Sequence, residues 1–168
     1  MTTFQLDESF DMRKFAERCS VEGRCKMERF PPSLRGKKDF EWFPILLAND
    51  APILTTDFRI ALLPDNRQAI PARNSGIIVI KPKIPESGFG SKRAIPLIDK
   101  FKLAFPEWSN LNWANAYVEI TDVDMYVRSF VDQHQISGET VSYDNVNFTV
   151  RLTTAVAEVQ RIQRLAAD

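Results

Sequence analysis

Three aspartates stand at places where they can act together. Asp7 closes the apolar run Phe4-Gln5-Leu6, Asp57 closes Pro52-Ile53-Leu54-Thr55-Thr56, and Asp39 opens the helix-like stretch Asp39-Phe40-Glu41-Trp42. In an open α/β sheet the carboxyl ends of parallel strands converge at a switch point, so acids far apart in sequence meet there. Carboxylates gathered in one cleft bind a hard divalent cation, and such ions serve phosphodiester hydrolysis. Asp7 is the most telling of the three, because an ionised carboxylate ending a buried strand carries a desolvation cost that a cation offsets. Each acid taken singly also has an ordinary role: Asp39 as a helix N-cap, Asp57 as a turn residue, Glu8 and Glu41 as solvated charges.

The elements that must hold these acids follow from the pattern of apolar residues. Phe4 to Asp7 reads as a short buried strand, and Ser9 as the N-cap of a helix whose apolar face is Met12, Phe15, Ala16 and Cys19. Cys25 to Phe30 suggests a second strand, stopped by Pro31-Pro32. A helix from Asp39 carries Phe40, Phe43, Leu46 and Leu47, with Pro44 tolerable only near its first turns. Ile53 to Thr56 and the β-branched run Ile77-Ile78-Val79-Ile80 are strands, the latter covered on both faces. Between them a short helix or irregular segment lies around Arg67 to Arg73, and Pro64-Asp65-Asn66 reads as a turn. Lys92 to Phe105 predicts a helix ended by Pro106-Glu107-Trp108, and Tyr117 to Thr121 a further strand. Met125 to Val131 and Val141 to Val150 read as β-like, with turns at Ser137-Gly138 and Asp144-Asn145, before a helix from Arg151 to Ala166. Strands alternating with helices in this way call for a parallel sheet with right-handed crossovers.

Composition narrows the function classes. A chain of 168 residues that is 44% hydrophobic and 26% charged is long enough for a real core. No apolar run approaches the roughly 20 residues of a membrane span, and the first residues lack a signal-peptide layout, so a cytoplasmic protein is expected. Cys19, Cys25 and the lone His134 are too few for a cysteine/histidine zinc site, and the two cysteines are expected to be buried free thiols. With 22 basic and 22 acidic residues the net charge is zero, so any nucleic acid must be held locally. Gly88 to Lys92 lacks the full phosphate-loop pattern, and no nucleophile elbow accompanies His134. Trp42, Trp108 and Trp113 are expected to pack in the core.

Phe4-Gln5-Leu6-Asp7, Asp39-Phe40-Glu41-Trp42-Phe43-Pro44 and Ile53-Leu54-Thr55-Thr56-Asp57-Phe58-Arg59-Ile60, in that order and spacing, resemble a PIN-like domain of the kind associated with bacterial toxin-antitoxin ribonucleases. The likeness covers about residues 3 to 82, and residues 83 to 121 by element order alone. It implies a three-layer α/β/α, Rossmann-like parallel sheet over residues 1–121, with residues 122–168 as a C-terminal β and helix extension packed on the same domain. It also implies a Mg2+ or Mn2+ site that cleaves RNA. Carried over residue by residue, Asp7, Asp39 and Asp57 are the catalytic metal ligands, Glu41 is the next candidate and Glu8 the weakest. Thr55, Thr56, Arg59 and Lys38 are candidates for contacts to substrate. The chain departs from the pattern where a fourth acid is expected shortly after Asp57: Phe58-Arg59-Ile60 follows instead, and the next acid is Asp65. Two functions follow as expectations: an endoribonuclease, as the toxin of a pair held in check by an antitoxin-like protein and able to form a homo-oligomer, and a non-catalytic PIN-like binding or regulatory protein.

Overall fold

In the computed structural model, the residues described are 2–10, 13–57, 60, 63–71, 73–80, 102, 104–120, 124–129, 135–140 and 145–167. Seven strands form one sheet: β1 (Thr2–Leu6), β2 (Cys25–Glu28), β3 (Ile53–Thr55), β4 (Ile77–Ile80), β5 (Ala116–Ile120), β6 (Asp124–Ser129) and β7 (Gln135–Thr140). Their order across the sheet is β2-β1-β3-β4-β5-β6-β7. Pairing is parallel from β2 through β5 and antiparallel for β5, β6 and β7. The order turns back on itself between β1 and β3, which makes their carboxyl ends the switch point of the sheet.

Helices cover both faces, as parallel crossovers require. On one face α1 (Arg13–Cys19) buries Phe15, Ala16 and Cys19 against Phe4, Leu6, Leu54 and Ile78. The short α4 (Phe105–Trp108) and the long α5 (Asn145–Ala167) complete that side through Phe105, Trp108, Leu152, Val156 and Val159. Phe105 anchors the layer, meeting Phe4, Phe15 and Trp108 with ring centroids 5.6, 5.7 and 5.2 Å away. On the other face α2 (Asp39–Leu47) packs Trp42, Phe43, Leu46 and Leu47 against Ile53, Ile77, Val79 and Tyr117, and α3 (Pro64–Ala69) lies against α2. The architecture is therefore α/β, with a mostly parallel sheet between helical layers.

Several local expectations change. The short helix or irregular segment expected around Arg67 to Arg73 and the turn expected at Pro64-Asp65-Asn66 give way to one helix from Pro64 to Ala69, because Pro64 occupies its first turn, where a missing N–H costs nothing. Pro106 likewise lies in the first turn of α4, so Phe105–Trp108 is helical where an end was expected. The strand expected over Val141 to Val150 is wrong from Asn145 on: those residues begin α5. Gln135–Thr140 forms β7, and Ser137-Gly138 lies inside it rather than at a turn. β6 and β7 thus continue the sheet as an antiparallel pair, and α5 packs across it. The expected helix over Lys92 to Phe105 falls, up to Phe101, outside the described residues, as do Gly88 to Lys92 and His134.

The amino edge of the sheet is held by a clasp between loops. Asn74 N–H donates to Asn115 Oδ1 at 2.7 Å and Asn115 N–H returns a bond to the Asn74 carbonyl at 3.0 Å. Gly76, with φ +97°, follows, and a side chain there would run into the Trp113 carbonyl. Cys19 and Cys25 are free and buried, as expected.

Candidate functional site

Strand alternation determines what reaches the switch point. Phe4 and Leu6 point into the α1 side, so Asp7 emerges on the α2 side, and its N–H still donates to the Leu54 carbonyl at 2.9 Å. Gln5 pairs with Ile53 and Leu6 with Leu54. The next step of that register sets Asp7 beside Thr55, whose hydroxyl donates to Asp7 Oδ2 at 2.5 Å. Ser9 Oγ donates to the same oxygen at 2.8 Å, and the Glu8 N–H donates to Oδ1 at 2.6 Å. Asp7 is only 5% exposed, and burial, joined by the Asp39 carboxylate, raises its pKa despite these three bonds.

Ser9 is the clearest correction at the site. It lies in a 3-10 turn (Glu8–Phe10), not at the cap of α1, which begins at Arg13. Its hydroxyl is within 3.3 Å of Thr55 Oγ1 and receives a bond from Thr56 Oγ1 at 3.2 Å. Thr55 Oγ1 in turn accepts from the Asp57 N–H at 3.1 Å. A hydroxyl ladder of Ser9, Thr55 and Thr56 therefore ties the ends of β1 and β3 together and fixes where Asp57 leaves the sheet.

Asp39 arrives from the helical layer. It is the first residue of α2, and the position before it belongs to Lys38, so Asp39 is not the N-cap that its residue type suggests. The capping is done by Glu41, whose Oε2 accepts the Lys38 N–H at 2.7 Å, while the Glu41 N–H donates to the Lys38 carbonyl at 2.9 Å. Glu41 is exposed and engaged at the helix start, which accounts for its position without a metal. Asp39, half-buried, accepts a bond from Asn66 Nδ2 at 3.3 Å. Its pKa is raised by burial, next by the Asp57 carboxylate, and also by Glu8, against hydrogen bonds from Asn66 and Trp42.

The three aspartates are thus electrostatic neighbours: Asp39 acts on Asp7, and Asp57 acts on Asp39. Among the described residues no three acidic, cysteine or histidine side chains already stand grouped as a coordination shell. The donors at hand are carboxylate and hydroxyl oxygens, the set that hard ions such as Mg2+ or Mn2+ take. Two carboxyls whose charged forms are disfavoured by burial and by neighbouring carboxylates suit such an ion, which would relieve both effects.

Sequence reasoning missed Ser9 as a partner of Asp7, Asn66 as a partner of Asp39, and a further buried acid. Glu119, 6% exposed, pairs with Val79, which pairs with Thr55, so it stands in the same row across the sheet as Asp7. At about 4.8 Å per strand it is roughly 14 Å from Asp7, too far to share an ion with it. Its Oε1 accepts the Tyr117 O–H at 2.7 Å. Burial and Glu119 push the Tyr117 phenol well above its usual range, with a smaller push from Asp57. The alternation Tyr117-Val118-Glu119-Ile120, with an acid among apolar neighbours, was the available signal.

Of the expected substrate contacts, Thr56 is half-buried beside Ser9 and Lys38 is exposed next to Asp39. Arg59 lies outside the described residues. Trp42, Trp108 and Trp113 are all buried, as expected for core residues. Comparison of the chain with protein-family models, with curated proteins and with solved structures finds no match.

Proposed function

We propose that this chain is a PIN-like, metal-dependent endoribonuclease, with Asp7, Asp39 and Asp57 as its acidic centre. One observation carries the reading: a buried carboxylate at the β1/β3 switch point, its pKa raised by burial, has Asp39 within electrostatic reach, and Asp39 in turn has Asp57. Asp7 and Asp57 would hold a Mg2+ or Mn2+ ion, with Asp39 holding a second or positioning water. When bound, the ion supplies a hydroxide from its own water and neutralises charge on the departing oxygen. Ser9 and Thr55 orient the Asp7 carboxylate, and Lys38 meets the phosphate backbone beside Asp39. An inhibitory protein of the antitoxin type belongs to the same proposal.

A non-catalytic binding role is the second reading, and the hydrogen bonds favour it: both Asp7 oxygens are already engaged by Glu8, Ser9 and Thr55. Cleavage of mixed structured and single-stranded RNA with Mg2+ or Mn2+ separates the two. Asp7→Asn and Asp57→Asn are each expected to lower the rate at least about 100-fold, as for removal of a group acting on transition-state charge. Equal rates in all three proteins would place the activity elsewhere, and RNA binding without cleavage would favour the second reading.

A further inference from the structure

Beside the acidic centre lies an open groove of about 500 Å³, lined by Lys38, Asp39, Phe40, Leu63, Pro64, Asp65 and Asn66. Most large apolar side chains among the described residues are buried, yet Phe40 is 38% exposed and Leu63 50% exposed, and both line this groove. Lys38 Nζ stands 5.8 Å from the centre of the Phe40 ring. Asn66, buried at the groove floor, links it to the centre through its bond to Asp39. Phe40 directly follows Asp39, so a group resting on its ring lies one residue from the carboxylate that is coupled to Asp57.

We infer that this groove is a nucleobase subsite, in which a base of a single-stranded RNA rests on Phe40 against Leu63 while Lys38 meets the adjoining phosphate. The inference rests on the reading of the acidic centre as an RNA site, and names how that site takes a single strand. Three features select a base over a protein partner. An aromatic plate beside a cation suits a flat π-system linked to a phosphate. Two exposed apolar side chains fall far short of the roughly 1,000 Å² that a stable protein interface buries. An amide at the floor can both donate to and accept from a base edge. A base in a duplex is stacked on its neighbours and cannot enter, so the groove selects unpaired strands.

The test is fluorescence anisotropy of a labelled single-stranded oligoadenylate on the full chain in Mg2+-free buffer with EDTA, so that no cleavage is involved. Phe40→Ala is expected to weaken binding about 10-fold, the loss typical of one stacking contact. Phe40→Trp is expected to keep the affinity and to show quenching of the new indole by the strand. An abasic strand of equal length is expected to bind wild type and Phe40→Ala alike. Equal oligoadenylate affinity in wild type and Phe40→Ala overturns the subsite, as does an equal loss for the abasic strand or the absence of binding by the wild type. The nuclease reading is tested apart from this by hydrolysis of bis(p-nitrophenyl) phosphate, which carries no base: Asp57→Asn lowers that rate if the centre works, whatever the outcome at the groove.

Discussion

Asp7 makes stability depend on pH at the level of a single side chain. Its carboxyl is protonated in both the folded and the unfolded chain below the ordinary aspartate range, and there it has no net effect on stability. Between that range and the raised folded pKa, the folded chain keeps a proton that the unfolded chain has released. Stability therefore falls as pH rises across that window, and the deficit persists above it. Asp7→Asn removes the charge and keeps an acceptor, so at neutral pH it is expected to stabilise the metal-free protein by about 1 kcal/mol, or roughly 3 °C in Tm. Added Mn2+ should raise the Tm of wild type and leave that of Asp7→Asn unchanged, since only the charged centre gains from the ion. Scanning calorimetry at neutral pH and again near pH 3 checks the sign: the gap between the two metal-free proteins must shrink in acid. A destabilised Asp7→Asn would instead mean that its hydrogen bonds to Ser9 and Thr55 outweigh the cost of the buried charge.

At the level of elements, α5 decides whether the C-terminal part belongs to the same core as the first five strands. Leu152, Val156 and Val159 are buried in one cluster with Phe4, Leu54 and Val118, so the helix closes the α1 face. Leu152→Ala is expected to cost about 2–5 kcal/mol with a single cooperative urea transition. A loss under 1 kcal/mol, or two transitions, would separate the helix from the domain. The sequence showed the strands with continuous apolar runs, Ile53 to Thr55 and Ile77 to Ile80, because burial on both faces leaves little freedom of residue type. It hid the start of α5, since Asn145-Val146-Asn147-Phe148-Thr149-Val150 is rich in β-branched and capping residues and becomes helical only through the packing of the rest. Asp7 and Asp57 were legible because each closes a strand. The roles of Ser9, Asn66 and Glu41 were not, because a hydroxyl, an amide and an exposed acid have many local partners, and only the fold chooses among them.

For the whole molecule the governing quantity is charge. With 22 basic and 22 acidic residues and no net charge, the protein has no global field to draw in a polyanion, and its own acidic centre repels one. On the proposed reading, affinity for RNA comes from few phosphate contacts, with Lys38 beside the centre, and from base contacts that salt does not screen. Counterion release from a single strand lowers log affinity by about 0.7 per phosphate contacted for each tenfold rise in salt. Two contacts predict a slope of about −1.4, against the roughly −4 or steeper expected of a protein that tracks six phosphates. Binding of a single-stranded RNA measured from 50 to 300 mM KCl distinguishes these outcomes. A shallow slope that flattens further in Lys38→Ala places recognition at the groove and the centre. A steep slope untouched by that substitution would mean that basic side chains elsewhere carry the strand, and the path of the RNA would have to be sought away from the switch point of the sheet.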